Sequence, residues 1–346
     1  MADRSPRLVN DASPSPSPSP SPSPSVRRIV GTLARLAVWI ATAAMGALAI
    51  TQAFGVTGIP VVFVLQALTP FLLAPAIPLA TIAALAGWHR MALVNVGVAA
   101  AVLWLSAPLA IHDQPVPATA GATSVTVAHA NTYYRTDQPE LAAATLLALD
   151  VDVLAITEYS WQFGHAFDEA GGAQRYPYEA VRSPGDRNGI ALFSRYPIVD
   201  SIITPIGQAM AIDATVVVDG SPLRLVVVHP LPGTNTASLD TWERDLRAID
   251  DAVDPDPATI LFGDFNATRW HPAFRDLLDE GWLDVHESLG RGWSMSWPTD
   301  VVGPPFVRID HALLGEDVSV GRVRDLDVPG SDHRAFVIDV SLPAAG

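Results

Sequence analysis

Asp264 and Asn266 lie two residues apart in "GDFN" (263–266), directly after the apolar run "TILF". Alone, the pair reads as a turn, because Gly, Asp and Asn favour turns through local backbone bonding. The arrangement recurs along the chain. Asn131 ends "SVTVAHAN", Glu158 ends "VDVLAITE", and His229 closes "LRLVVVH"; Asp310 lies within "RIDHALL", and "SDH" (331–333) precedes "AFVIDVSL". Polar residues at so many run ends would line one edge of a sheet sandwich. Their types set the chemistry. Asn131, Glu158 and Asp332 offer the hard oxygen ligands taken by Mg²⁺ or Mn²⁺, which keep waters free for a substrate phosphate. Such a cation polarises a phosphoryl oxygen and stabilises charge on the leaving group. A carboxylate beside an imidazole fixes its tautomer and favours its protonated form, which suits Asp310 with His333. Asp264 would position or deprotonate an attacking water.

The elements that must hold these residues are β-rich. Eight runs read as strands: 124–131, 151–158, 189–195, 211–219, 223–230, 259–266, 307–314 and 335–342. Helical spacing and start signals appear at 138–150, 238–253 and 271–281. Many strands with few helices imply a two-layered sheet core flanked by helices, an α/β (α+β) fold. Period-two alternation places Asp264 and Asn266 on one face with Phe265 opposite, and turns His311 away from Asp310.

"GDFN", "RIDHALL" and "GSDHRAF", in this order and after a strand ending in Glu158, resemble the endonuclease/exonuclease/phosphatase superfamily over residues 124–342. The resemblance implies a four-layer α/β/β/α sandwich and metal-dependent phosphoester hydrolysis. It implies that Glu158 is the principal metal carboxylate, with Asn131 and Asp332 completing the shell. It gives Asp264 the nucleophilic water, Asn266 a non-bridging phosphate oxygen, and His333, oriented by Asp310, the scissile phosphate. His229 matches a second His of the family's nucleases. Deoxyribonuclease-like members carry a Glu at the position of Asn188, and this departure leans toward the phosphatase and phosphodiesterase branches. Asn188, Arg187 and Arg334 are candidate substrate contacts, and Arg269 lies near the motifs too. His129, His165, His271 and His286 read as surface or capping residues, His311 as structural, and Trp270, Trp282, Trp293 and Trp297 as core or rim aromatics.

Ahead of this region the composition changes twice. Residues 1–28 contain alternating Ser-Pro and read as a disordered tail. Residues 29–111 are almost continuously apolar, and about 20 such residues span a bilayer, so three transmembrane helices are expected at 29–50, 60–86 and 91–111, with two spans or a re-entrant second segment as the alternative. Residues 112–123 form a linker to a catalytic domain over 124–346. Arg27, Arg28 and Arg90 fall at loops on one side, which places the N-terminus in the cytoplasm and the catalytic domain outside the cell membrane, in a multi-pass arrangement. Arg35 would snorkel to the cytoplasmic surface. The spans hold almost no polar residues to line a transport path.

The chain has no Cys, which excludes disulfides and thiolate metal sites. Its formal charge is −15, and residues 114–346 alone hold 33 acidic residues against 15 Arg, a net of −18. Such a domain is a poor non-specific binder of nucleic acid, whose affinity rests on phosphate neutralisation. The substrate stays open between nucleic acid and a phospholipid head group, the latter sphingomyelinase- or phosphoinositide-phosphatase-like. A third reading is an anchored, inactive binding protein, against which the full set of acids and two His argues. No protein partner follows from the sequence.

Overall fold

The computed structural model describes residues 24–110, 121–255 and 258–343. Most of the Ser-Pro tail and of the linker expected at 112–123 lie outside the described residues. Helix begins at Pro24, so residues 24–28, expected in the tail, are helical.

Two six-stranded sheets form the larger part of the molecule. In one, the order from edge to edge is β11 (Ser319–Asp327), β12 (Arg334–Leu342), β1 (Thr123–Asn131), β2 (Val153–Thr157), β4 (Ile190–Ser194) and β3 (Tyr178–Arg182). In the other it is β5 (Ile198–Ile206), β6 (Ala209–Val218), β7 (Ser221–His229), β8 (Thr259–Asp264), β10 (Asp310–Leu314) and β9 (Leu283–Asp284). The eight strands read from sequence are the eight interior ones. The four that were missed, β3, β5, β9 and β11, are the four edges. Edge strands face solvent on one side; β5, "IVDSIITPI", has no fully buried residue and so no apolar run to read.

The sheets pack face to face through period-two alternation. Val125, Val127, Val153 and Leu192 of one meet Ile212, Leu225, Val227 and Phe262 of the other. Outer faces are covered by helices. α6 (Pro139–Leu147) and α7 (Trp161–Glu169) lie over Leu154 and Ile156. α9 (Thr236–Ala252) and α10 (Pro272–Asp279) bury Trp242, Leu246 and Phe274 against Val226, Val228 and Leu261. Short helices α8 (Gly172–Arg175) and α11 (Val285–Ser288) complete the connections. The four layers match the expected sandwich, and α6, α9 and α10 are the expected helices.

The N-terminal part holds α1 (Pro24–Ala53), α2 (Pro60–Ala67), α3 (Thr69–Leu73), α4 (Ala76–Leu85) and α5 (His89–Ser106). Among the described residues two helices, Arg28–Ala53 and His89–Leu109, are long and apolar enough to cross a bilayer. The span expected at 60–86 is not one straight helix: Pro60–Ala67 and Thr69–Leu85 meet at 81°. Pro70 explains the bend. It has no N–H for the Gln66 carbonyl and its ring crowds that carbonyl, so Thr69 Oγ1 donates to Gln66 O instead, at 2.7 Å. The end of α1 and the loop leading into the bent segment attach to the sandwich. Gly58 N donates to Glu243 Oε1 at 2.8 Å, and Arg275 Nη1 donates to Gln52 Oε1 at 2.8 Å.

Gly263, the first residue of "GDFN", is required by geometry. Its φ is +146°, and a Cβ there would stand 2.1 Å from the Val228 carbonyl oxygen of the neighbouring strand. A backbone atom cannot yield as a side chain can. Gly263→Ala should lower stability by an amount on the order of 3 kcal/mol. Thermal melts test this, and a melting curve equal to wild type would show that the β7–β8 pair tolerates the extra atom.

Candidate active site

The alternation that builds the inter-sheet core also builds the site, because the inner face turns polar at one end of both sheets. In β1 the inward positions run Val125, Val127, His129, Asn131; in β7 they end on His229, in β8 on Asp264, and β10 opens on Asp310. Asp264 is 1 % exposed, and Asn131 Nδ2 of the opposite sheet donates to its Oδ2 at 3.0 Å. Asn266 N donates to Oδ1 at 2.8 Å. His333 Nδ1 donates to Asp310 Oδ2 at 2.9 Å, which leaves its Nε2 3.7 Å from Asp264 Oδ2. His229 Nε2 lies 3.5 Å from Asp264 Oδ2 and 4.0 Å from Glu158 Oε1.

Strain marks the same strand ends. Glu158 has φ +54° and Asn266 φ +48°, a conformation that non-Gly residues seldom adopt. The turn at Glu158 aims its carboxylate at the N–H of Tyr134, which donates to Oε2 at 3.0 Å. At Asn266 the strand has ended, so it does not continue the period-two face as expected. Its Nδ2 donates to Pro230 O at 3.0 Å and ties the ends of β7 and β8 together.

Charges are sorted by environment. Burial alone would raise the Asp264 pKa, but His333, His229 and the Asn266 N–H hold it far below the usual carboxylate range. Burial likewise opposes charge on His333, yet Asp310 and Asp264 push its pKa up to about 10. His229 is raised in the same way, burial being outweighed by Asp264 and Glu158. Burial wins at His129, whose pKa falls to about 4 although Nδ1 lies 3.6 Å from Asp310 Oδ1.

Asp264, Asp310 and His333 offer atoms within 4.8 Å of one another, close enough to share a metal ion. The short Asp310–His333 bond makes that group a poor cage, since it already occupies one acid and one ring nitrogen. Glu158 and Asp332 fit a hard cation better. Both line a cleft of about 630 Å³, both present carboxylate oxygens, and among the described residues neither ring nitrogen of the adjoining buried His229 has a hydrogen-bond partner. Asp332 Oδ2 accepts from Trp297 Nε1 at 3.1 Å, and Oδ1 lies 3.9 Å from His333 Nε2.

The expected site residues therefore converge with three exceptions. Asn131 turns its amide to Asp264 and its side-chain carbonyl to Tyr133 N, at 2.9 Å, and so supports the acid rather than lining the cleft. Asn188 bonds Asp186 Oδ1 through both its backbone and side-chain nitrogens, a local turn. Arg334 pairs with Asp327 at 2.7 Å and lines a neighbouring depression. Arg187 does line the cleft, with Arg135, which the sequence reading overlooked. Arg269 pairs instead with Glu287 at 2.5 Å.

Several histidines also differ from expectation. His129 is fully buried, hydrogen-bonded through Nε2 to Thr157 Oγ1 at 3.1 Å. Its inward position after Val125 and Val127 was the available signal. His286 is buried as well; His271 is buried but holds the N-cap position of α10, one of the two expected places, and His165 is exposed beside Glu169 as expected. His311 is structural, bonded to Asp284 Oδ2 at 2.8 Å and Ala267 O at 3.0 Å. Ser331 went unnoticed: its Oγ donates to Asn131 O at 2.6 Å and accepts from His333 N at 3.0 Å, joining β1 to the "SDH" turn.

A family model described as "Endonuclease/Exonuclease/phosphatase family" matches residues 128–333. No curated protein matches the sequence significantly. Among solved structures, TDP2 of D. rerio with a single-strand DNA product superposes with a TM-score of 0.52 at 18% identity, covering 63% of this chain and 98% of that one. An endonuclease/exonuclease/phosphatase family protein from Bacteroides thetaiotaomicron gives 0.51 at 14%, covering 64% and 98%. One from Beutenbergia cavernae gives 0.50 at 18%, covering 64% and 72%. At these identities the likeness is one of fold.

Asp310→Asn removes the anion that faces His333. In the metal-free protein the stability contributed by His333 is complete below the unfolded value of about 6.5 and lost as pH climbs through about 10, because a raised folded pKa favours the protonated state. The Asn variant should flatten that slope in melts at pH 6 and 10 and lower the His333 titration midpoint seen by NMR. An unchanged midpoint would reject the ion-pair account.

Proposed function

The chain belongs to the endonuclease/exonuclease/phosphatase family, and from that premise we propose that it is a phosphoester hydrolase dependent on a divalent cation, Mg²⁺ or Mn²⁺. The carrying observation is Asp264: a buried carboxylate at the floor of a cleft, ringed by His333 and His229, with Glu158 and Asp332 nearby.

Glu158 and Asp332 would hold the cation, with Asn131 beside them. When bound, it polarises a phosphoryl oxygen and stabilises charge on the leaving group. Asp264 accepts a hydrogen bond from the attacking water and orients it. Its low pKa makes it a firm acceptor and a weak proton sink, so its part is chiefly positional. His333 keeps one N–H on Asp310 and turns Nε2–H toward the cleft, where it stabilises charge growing on the phosphoryl group. His229, with no hydrogen-bond partner among the described residues, donates to a second phosphoryl oxygen. Asn266 steadies Asp264 through its backbone N–H and borders the phosphate position, and Arg187 reaches the substrate from the rim. Catalysis of this kind is mostly positioning and electrostatics.

Membrane placement belongs to the same proposal. α1 and α5 cross the bilayer, and the bent α2–α4 segment returns the chain between them. Gln52 near the end of α1, Leu105 of α5 and Leu109 just after it pack on the sandwich. At the far end the Arg35 guanidinium lies 5.6 Å from the Trp88 ring, near the starts of α1 and α5 where Arg28 and Arg90 stand. The positive charges thus gather opposite the catalytic unit, which supports a cytoplasmic N-terminus and an external site.

Asp264→Asn and His333→Ala in the full chain should each lower Mg²⁺-dependent hydrolysis of bis(4-nitrophenyl) phosphate by at least about a hundredfold. EDTA should abolish wild-type activity and Mg²⁺ restore it. Full activity in both variants would remove the assignment. Because the chain has no Cys, Ser201→Cys on the exposed edge strand β5 is a clean topology reporter. A membrane-impermeant maleimide should label it in intact cells, and labelling only after lysis would reverse the orientation.

A further inference from the structure

The cleft above Asp264 is not closed by the sandwich alone. One wall is α2 with the residue that follows it, and carries Phe63, Val64, Ala67 and Leu68. The facing wall carries Trp297, Phe306 and Val307, and the floor holds Glu158, Asp264, Asp332 and His333. A single cleft of about 630 Å³ therefore joins a phosphate-handling floor to an apolar surface supplied by the segment between the two long apolar helices.

That wall is fixed in place. Phe63 stacks on His271 with ring centroids 4.3 Å apart and meets Trp242 edge-on at 4.9 Å. His271 Nε2 donates to the Phe63 carbonyl at 3.0 Å, while Nδ1 accepts from Thr268 N at 2.9 Å. With one ring face of α2 held so, its remaining apolar residues stay open: Val61, Val64 and Leu65 are 62%, 49% and 38% exposed. Ile59, just before the helix, is exposed too. An unbroken apolar strip thus runs from the outer surface of the bent segment into the catalytic cleft.

We propose that α2 binds the hydrocarbon chain of an amphiphilic phosphoester, so that the substrate is a membrane-resident lipid whose phosphate reaches Asp264 and His333 while its tail lies along Val64, Ala67 and Leu68. The inference rests on the hydrolase reading of the same site and adds the substrate class to it. Three features favour this occupant over a nucleic acid strand. The wall is apolar and continuous with residues that face lipid. Among the described residues, Arg135 and Arg187 are the only arginines on the cleft, too few for an affinity built on serial phosphate contacts. The region carrying the site has a net charge of −18, which repels a polyanion but affects a single anchored phosphate far less.

The test uses the full chain in proteoliposomes with two phosphodiesters that share a leaving group, hexadecyl 4-nitrophenyl phosphate and ethyl 4-nitrophenyl phosphate. Wild type should prefer the hexadecyl ester in kcat/KM by at least about tenfold, as burial of several methylenes requires. Val64→Asp and Leu68→Asp should cut that hexadecyl-to-ethyl ratio at least about tenfold, and Val64→Leu should retain it. Hexadecylphosphonate should inhibit wild type at lower concentration than ethylphosphonate, a readout that stands even where an Asp variant fails to insert. Equal rates on both esters, a ratio unmoved by the Asp substitutions, or faster cleavage of single-stranded DNA than of the hexadecyl ester would overturn the proposal while leaving the hydrolase reading intact. No metal-dependent cleavage of any of the three would overturn both.

Discussion

Asp264 has to remain charged where water hardly reaches. A lone carboxylate at 1 % exposure would cost several kcal/mol to keep ionised and would take up a proton instead. Here the charge is met from four directions: His333 and His229 at 3.7 and 3.5 Å, the Asn131 amide at 3.0 Å and the Asn266 N–H at 2.8 Å. These partners come from both sheets and from two loops. They meet only if the sheets are packed in one register, since a one-residue slip of a strand would turn its polar end to the wrong face. The apolar sandwich and the site are thus a single constraint, satisfied or lost together.

Asp310 extends the same logic one layer deeper. Its two oxygens face two imidazoles, His333 at 2.9 Å and His129 at 3.6 Å. The rings settle in opposite protonation states. His333 sits between two carboxylates and its pKa rises to about 10, while His129 has the weaker, longer contact and burial lowers its pKa to about 4. One positive charge between two negative ones leaves an acidic site, suited to an added divalent cation.

Burial on both faces is what makes a strand visible in the sequence. The interior strands appear as apolar runs, and their polar ends name Asp264, Asp310, His229 and Glu158. What stayed hidden follows from the same cause. Edge strands alternate with solvent and leave no run, as in β5. His129 looks like any histidine until its parity with Val125 and Val127 is tied to the position of the opposite sheet. Arg334 and Asn188 sit beside motif residues in sequence, but a salt bridge to Asp327 and a turn around Asp186 take their side chains elsewhere. Arg135 lies outside every motif and enters the cleft only through the loop after β1.

The bend at Leu68 was legible in part, since three prolines mark the second apolar segment, yet its consequence was not. A straight helix over 60–86 would carry Val64 and Leu68 away from the sandwich. The 81° turn instead lays α2 against α9 and α10 through Phe63, Trp242 and His271. The contact is built from neutral groups. Burial lowers the His271 pKa to about 4, and both ring nitrogens are engaged, so the attachment stays uncharged across the pH range in which carboxylates and a divalent cation would work. The charged machinery at the strand ends and the neutral clamp on α2 can therefore share one cleft without competing for protons.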